Sequence, residues 1–266
     1  MTSEAVTAAA QLYDELFSVL DALAPHQWDW PSNCPGWRVR DVIAHLGAAA
    51  RQGRDPLPAM PVPPAGLARE RQHDYEVTRR KDWPVPDVLD ELRTYLPRNL
   101  RALDKLQHEP AASQEIDLPG LGRYPGHALA NASAFDAYCH LHLDLAPILG
   151  RPPANRKPPH ATLYAVVQWM LWGLPQMQGP LLAETVGRPI TLQLTGPGSS
   201  TWTVQRSAAT GELLVTETDE GTDVTVTSTA ADFVRWATKR APWQPSCAVT
   251  GDRSDVVEFL GTLDII

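Results

Sequence analysis

The chain has 266 residues, of which 43% are hydrophobic and 20% are charged, a composition typical of a globular protein. Its formal net charge of −8 at pH 7, with no compensating block of Lys and Arg, argues against a general nucleic-acid-binding protein. The N-terminus has no secretory pattern and no stretch of 18 apolar residues occurs, so we expect neither a signal peptide nor a membrane span. Three cysteines in no paired spacing favour the reducing cytoplasm.

Helical patterns occupy the first 150 residues. Apolar residues recur there at steps of three and four, which predicts helices with one buried face. We expect helices at 5–23, 38–52, 88–106 and from about Pro125 onward, with a further charged helix at 70–81. A Pro-rich stretch at 55–66 and a loop at 116–124 connect them. The pattern predicts a helical bundle.

A different pattern follows the Pro-rich linker at 151–160. The apolar period changes to two, which is typical of strands, and Gly-rich turns separate the runs. We expect a helix at 162–173, strands at 190–195, 201–205, 213–217, 224–227 and 246–250, and helices at 230–240 and 254–263. The predicted organisation is therefore an α-helical bundle over residues 1–150, a linker, and a small α+β domain over residues 161–266.

Metal-ligand residue types lie among apolar ones between 134 and 147. Each residue advances about 100° along an α-helix, so Asp136, His140 and Asp144 share one face while His142 points elsewhere. An acid and a His one turn apart are typical of metal-binding helices, but such a pair needs a third ligand from another element. His45, beside the apolar face of the helix at 38–52, is a candidate for that ligand.

The loop before that helix is rich in tryptophan and contains a cysteine. Trp28, Trp30 and Trp37 are interpreted as packing residues and not as a ligand cage. Cys34 has no basic residue near it to activate its thiol, and Cys139 is interpreted as a small core residue.

Two segments resemble the mycothiol-dependent maleylpyruvate isomerase family. Residues 35–46 read Pro-Gly-Trp-Arg-Val-Arg-Asp-Val-Ile-Ala-His-Leu, which is similar to the family's Pro-Gly-Trp-x-x-x-Asp-x-x-x-His-Leu motif. Asp136-x-x-x-His140, followed by Asp144-Leu145, is similar to its second motif, Glu-x-x-x-His followed by Asp-Leu. The segment 223–252 resembles the sterol-carrier-like domain of many members.

The resemblance implies a fold and a chemistry. It implies a DinB-like four-helix bundle with a C-terminal sterol-carrier-like α+β domain. His45, Asp136 and His140 would hold a divalent metal, zinc, with a position left open for water or a thiol. Mycothiol would bind there as the thiolate and attack a small electrophilic substrate, in an isomerisation or an S-transfer. Arg240 is the counterpart of an Arg that the second domain contributes to the isomerase site, and Asp144 is a carboxylate that supports a ligand.

The sequence departs from the family pattern at the second motif. Asp136 replaces the usual Glu and is shorter by one methylene, and the spacing from His140 to Asp144 is one residue longer. The extra residue makes His142 an alternative ligand to His140.

Other interpretations need no thiol or no metal. His45 can be a buried structural histidine, and Asp136 and His140 can form a hydrogen bond within one helix. Asp144 orients a ligand His or caps local backbone. A hydrolase with a metal-bound hydroxide, with Asp144 or His142 as its base, and a non-catalytic metal-containing protein that binds a small hydrophobic ligand both fit the same residues.

Overall fold

A computed structural model describes residues 3–52, 69–150 and 158–265. The Pro-rich stretch at 55–66 and most of the predicted linker, residues 151–157, lie outside the described residues. Contacts divide the chain into two compact units, Met1–Gly120 with Tyr124–Arg156 and Leu121–Arg123 with Lys157–Ile266.

The first unit is mainly helical. Its helices are α1 (Ser3–Leu20), α2 (Val39–Arg51), α3 (Arg69–Thr78), α4 (Val85–Lys105) and α5 (Ala128–Tyr138). Helix α2 packs mainly against α4, and α1 packs mainly against α5. Each of these four helices buries one apolar face against its neighbours. On α1 that face consists of Leu12, Leu16 and Leu20, which are at most 3% exposed, as the period of three and four predicts.

Helix α5 continues without a break into a π-helix at Cys139–Leu145. The backbone N–H of Ala146 donates to the carbonyl of Leu141 at 2.9 Å, five positions earlier, in place of the α-helical four. Asp136 therefore lies on regular α-helix, while His140 and Asp144 lie on the wider turn.

The connection before α5 differs from the sequence prediction. Residues 116–124, predicted as a loop, contain a short hairpin of β1 (Glu115–Leu118) and β2 (Gly122–Pro125). Gly120 has a φ of +80° and Gly122 a φ of +111°, values that favour glycine and permit the tight reversal. Because Pro125 ends β2, the helix begins at Ala128 and not near Pro125.

The second unit is a mixed sheet covered by helices. Its elements are α6 (His160–Met177), α7 (Gly179–Thr185), β3 (Ile190–Thr195), β4 (Ser200–Arg206), β5 (Leu213–Glu217), β6 (Val224–Thr229), α8 (Ala230–Ala237), β7 (Ala248–Thr250) and α9 (Ser254–Thr262). The strand order is β5-β4-β3-β6-β7, with β3 and β6 parallel and the other pairs antiparallel. The predicted strands and flanking helices are confirmed, and α7 is an additional short helix.

Buried apolar side chains alternate with more exposed ones along the strands and form the core of this unit. Trp202 on β4 and Phe233 on α8 are fully buried, and α8 packs against β6 and β3. Among the described residues no helix is both long and apolar enough to cross a membrane.

Candidate metal centre

His45 is held on a helix whose start is fixed by an ion pair. The backbone N–H and the guanidinium Nε of Arg38 each donate to Asp41 Oδ2 at 2.8 Å, so the carboxylate caps the first turn of α2. One turn later His45 is 3% exposed, between the fully buried Ile43 and Leu46. Packing in the core thus fixes the position and direction of the His45 imidazole inside the first unit.

One carboxylate oxygen faces two imidazoles from different helices. Oδ1 of Asp136 lies 3.2 Å from Nε2 of His45 and 3.3 Å from Nε2 of His140. The ring centroids of the two histidines are 4.9 Å apart, nearly edge-to-face. The ligand-type atoms of all three residues lie within 4.8 Å of one another. The structure therefore brings together the three residues proposed as ligands from the sequence.

These separations suit a tetrahedral ion. Metal–nitrogen and metal–oxygen bonds of about 2.0–2.1 Å place two ligand atoms about 3.3 Å apart in a tetrahedral site. The observed 3.2 and 3.3 Å match that spacing and are long for a charged hydrogen bond, which averages about 2.8 Å. Two imidazole nitrogens and a carboxylate are also a common donor set for a divalent metal. The residues present thus fit the group that the sequence implies.

Opposite charges are concentrated in this small volume. Burial opposes ionisation of Asp136, but the charge of His45 and hydrogen bonds to His140 and His45 outweigh it, so the pKa of the carboxyl lies well below its usual range. Burial alone lowers the pKa of His140, but hydrogen bonds to Asp136, Asp144 and Cys34 raise it well above its usual value. The site therefore attracts positive charge, which a proton or a divalent cation can supply.

Asp144 supports His140 from the other side of the ring. Its Oδ2 lies 2.9 Å from Nδ1 of His140, and the residue is fully buried. When Nδ1 carries the proton of a neutral ring, it donates a hydrogen bond to this carboxylate. The lone pair is then on Nε2, on the side of the ring that faces Asp136. Of the two roles that the sequence allowed for Asp144, the orientation of a ligand His agrees with this contact.

The loop at 31–38 is attached to the π-helix. Asn33 donates through its backbone N–H to the Asp144 carbonyl at 3.1 Å and through Nδ2 to the Leu143 carbonyl at 2.8 Å. This attachment places Sγ of Cys34 3.7 Å from Nδ1 of His140. The sequence-based expectation that Cys34 has no basic neighbour is therefore wrong, because the neighbour comes from 106 positions away.

Aromatic rings pack around the pair of histidines. The ring centroid of Trp37 lies 5.3 Å from that of His45 and 6.3 Å from that of His140. The Trp37 indole N–H donates to Asp74 Oδ1 at 3.0 Å, and the His73 ring lies 4.5 Å from the His45 ring at an angle of 31°. Helix α3 therefore contributes to the site, although its charged sequence gave no sign of that role.

His142 lies apart from the three ligand-type residues. Its ring packs 4.7 Å from that of Tyr138, and Oε2 of Glu15 is 3.8 Å from its Nε2. Neither ring nitrogen has a hydrogen-bond partner within the described ranges, and burial lowers its pKa to about 4. The structure thus brings His140, not His142, together with His45 and Asp136.

Arg240 belongs to the second unit. It is partly buried, and its backbone N–H donates to the Arg235 carbonyl at 2.9 Å just after α8. Its role in the site stays a prediction from the resemblance.

The fold and the cluster define a class of protein. It has a helical unit and a mixed-sheet unit, and a His/Asp/His cluster in the helical unit is a candidate metal centre. A sequence model described as the mycothiol maleylpyruvate isomerase N-terminal domain matches residues 9–146, more than half of the chain. The chain belongs to the mycothiol-dependent maleylpyruvate isomerase family.

Two solved structures share the fold over nearly the whole chain. The mycothiol-dependent maleylpyruvate isomerase is 17% identical, with a TM-score of 0.55, and the match covers 94% of this chain and 95% of that chain. A histidine-to-alanine mutant of that enzyme gives 16% identity, the same TM-score and the same coverage. No curated protein matches the sequence.

Proposed function

We propose that this protein is a divalent-metal-binding, mycothiol-dependent isomerase or S-transferase that acts on a small electrophilic substrate. The observation that carries the proposal is the position of Asp136 Oδ1, 3.2 and 3.3 Å from one nitrogen of each of two buried or nearly buried histidines. Membership of the family supports the thiol-dependent chemistry.

The proposed architecture follows the same family. Residues 1–150 form a DinB-like four-helix bundle, residues 151–160 a linker, and residues 161–266 a sterol-carrier-like α+β domain. The pairing of α2 with α4 and of α1 with α5 supports the bundle, and the five-stranded sheet with α8 against it supports the α+β domain. A cytoplasmic location is proposed from the low, odd number of cysteines in the sequence and their lack of a paired spacing.

Each residue of the cluster has a distinct proposed role. His45, Asp136 and His140 would hold the metal, for which zinc is proposed, through two nitrogens and one oxygen. When bound, the metal supplies a Lewis acid that lowers the pKa of a thiol at its open position. In the neutral ring of His140, the hydrogen bond from Nδ1–H to the Asp144 carboxylate would hold the proton on Nδ1, so that Nε2 carries the lone pair for the metal.

An aromatic ring covers one side of the cluster. Trp37 packs beside both histidines, and its hydrogen bond to Asp74 fixes it against α3. An apolar wall of this kind strengthens electrostatic interactions between the cluster and a bound anion, such as a thiolate. Arg240 is proposed to contact the substrate, on the resemblance alone.

Metal content and thiol-dependent turnover test the proposal together. The purified protein is measured by mass spectrometry beside His45→Ala, Asp136→Asn and the control Cys247→Ser, whose thiol lies in the second unit. We expect near one equivalent of metal in the wild type and the control, and loss in both ligand variants. Turnover of maleylpyruvate, the substrate named for the related enzyme, should then require both mycothiol and metal.

Separate outcomes contradict separate parts of the proposal. Zinc that is equally retained in His45→Ala and Asp136→Asn when each also carries Cys34→Ser would exclude this cluster as the metal centre. Full metal with no mycothiol-dependent turnover of maleylpyruvate or other electrophiles would exclude the thiol chemistry. Metal-dependent ester or amide hydrolysis without any thiol would then identify a hydrolase.

A further inference from the structure

We propose that Cys34, His140 and Asp144 form a second cation site, which takes a thiophilic metal ion and competes with the first centre for His140. Sγ of Cys34, Nδ1 of His140 and an oxygen of Asp144 all lie within 4.8 Å of one another. Cys34 and Asp144 lie on the Nδ1 side of the His140 ring, away from Nε2. The second site itself rests on no contact of His45 or Asp136, whereas its competition with the first centre rests on the proposed function.

Distances within this group suit a metal that is bound partly through sulfur. Bonds of about 2.3 Å to sulfur and about 2.0–2.1 Å to nitrogen separate the two ligand atoms by about 3.5 Å. Sγ of Cys34 lies 3.7 Å from Nδ1 of His140. Asp144 Oδ2 lies 2.9 Å from the same nitrogen, so that carboxylate must move by a few tenths of an ångström to admit an ion. Cys34 is partly exposed, which gives the ion a path from solvent.

Charge and softness favour a different ion at each side of His140. Cys34 as thiolate, Asp144 as carboxylate and a neutral imidazole together carry two negative charges, which balance a divalent cation. The first centre has only one carboxylate with its two imidazoles. Thiolate ligands select soft or borderline metals, so Cd²⁺ is expected to prefer the Cys34 side and harder ions the Asp136 side.

The cysteine is positioned by a hydrogen-bonded turn. Ser32 Oγ accepts from the Cys34 N–H at 3.1 Å and donates to the Trp37 carbonyl at 2.9 Å. The Trp37 N–H donates to the Cys34 carbonyl at 3.0 Å, and Gly36, with a φ of +81°, permits the turn. Together with the two bonds from Asn33 to the π-helix, this geometry holds the thiol near His140 before any ion binds.

Competition follows from the chemistry of one imidazole ring. A neutral imidazole carries one proton and offers one lone pair, so it can bind a metal through Nε2 or through Nδ1. An ion on both nitrogens would require the loss of that proton as well, which gives an imidazolate. Occupation of the Cys34 side therefore removes a ligand from the first centre.

The test is a titration of metal-free full-length protein with Cd²⁺, followed by calorimetry and by sulfur-to-metal charge-transfer absorption in the ultraviolet. His45→Ala, which lacks the first centre, should bind one equivalent and show that absorption. His45→Ala/Cys34→Ser should lose the absorption and bind more than about tenfold more weakly. His45→Ala/Cys247→Ser, the matched control, should match His45→Ala. Asp136→Asn repeats the comparison if His45→Ala does not fold.

The second site would be overturned if His45→Ala/Cys34→Ser kept the Cd²⁺ affinity and the spectrum of His45→Ala. It would also be overturned if His45→Ala and Asp136→Asn were both folded and neither bound Cd²⁺. In the wild type with Zn²⁺ and Cd²⁺ present together, the total should stay near one equivalent, whereas two equivalents would overturn the competition. Zn²⁺ binding by Cys34→Ser reports the first centre separately, because that variant keeps all three of its ligands. Failure of one site is therefore distinguishable from failure of the other.

Discussion

Oδ1 of Asp136 lies 3.2 Å from Nε2 of His45, although 91 positions separate the two residues in the sequence. Asp136 is on α5 and His45 is on α2. The contact therefore links two helices that belong to different packed pairs, α1 with α5 and α2 with α4. A metal at this point would join those pairs by bonds that the apolar core alone does not provide.

Replacement of Asp136 by Asn should remove most metal affinity. The amide keeps the size of the side chain but lacks the negative charge that faces both histidines, so we expect the dissociation constant for Zn²⁺ to rise by more than about tenfold. Asp136→Glu keeps the charge and should bind more tightly than Asp136→Asn. A titration against a competing chelator measures all three proteins. Equal affinity of the Asn variant and the wild type would contradict the role of this carboxylate.

Replacement of Asp144 by Asn should lower the metal affinity of the first centre, although His45, Asp136 and His140 are all kept. The amide is a poorer partner for Nδ1 of His140, so the ring is less firmly oriented and its Nε2 is less basic. Loss of such a supporting group typically costs about 10–100-fold in metal affinity. Asp14→Asn is the control, because Asp14 is an exposed acid of the same unit. The same chelator titration measures both variants, and equal affinities would contradict the orienting role.

A buried ion pair links the turn after α3 to α4. Nη2 of Arg80 donates to Glu91 Oε1 at 2.8 Å, and both residues are at most 5% exposed. Glu91→Gln should lower the free energy of unfolding by about 1.5–3 kcal/mol, because Arg80 then keeps only the partly exposed carboxylate of Glu76 as its counter-charge. Urea denaturation measures the change.

The surface pair of Arg93 with Asp21 serves as the comparison. Its side chains are 52% and 64% exposed, so Asp21→Asn should change the free energy of unfolding by at most about 1 kcal/mol. Similar losses in the Glu91 and Asp21 variants would show that burial does not set the strength of the Arg80 pair.

Cys247 should react slowly with alkylating reagents. Burial raises the pKa of its thiol from about 9 to about 11. At pH 8 the thiolate fraction is then roughly 100-fold smaller than that of an unshifted thiol, and the alkylation rate with iodoacetamide should fall in proportion. Peptide mass spectrometry of native and denatured protein measures the two rates. Equal rates would contradict the shift.

The same shift predicts a loss of stability in alkali. The folded state retains the Cys247 proton above pH 9, while the unfolded chain releases it, so the contribution is fully present below pH 9 and declines from pH 9 to 11. Cys247→Ser lacks this titrating group. The difference in unfolding free energy between wild type and variant should therefore decrease across that interval, and a constant difference would argue against the shift.

Sequence reasoning succeeded where a repeated pattern determines the structure. The apolar period along α1 and the alternation along β3 each reflect one buried face, so residues such as Leu16 and Leu192 were predictable as core. The one-turn spacing of Asp136 and His140 likewise predicts a shared side of their helix. Because His45 lies on another helix, its place in the cluster needed the motif resemblance as well as the spacing.

Features that depend on tertiary contacts were not predictable in the same way. The hairpin at 115–125 has strands of four residues, too short for a clear alternation. Cys34 approaches His140 only because Asn33 attaches the loop to the π-helix, and the ring of His73 contacts that of His45 only because α3 packs against α2. No local spacing encodes such encounters between distant segments.

The π-helix at Cys139–Leu145 gives the chain a place to change its length. A widened turn holds an additional residue, so an insertion can be absorbed there while α5 before it keeps its direction. A change of chain length at this turn would therefore alter the surroundings of His140 without a shift of Asp136, which lies on the regular helix before it.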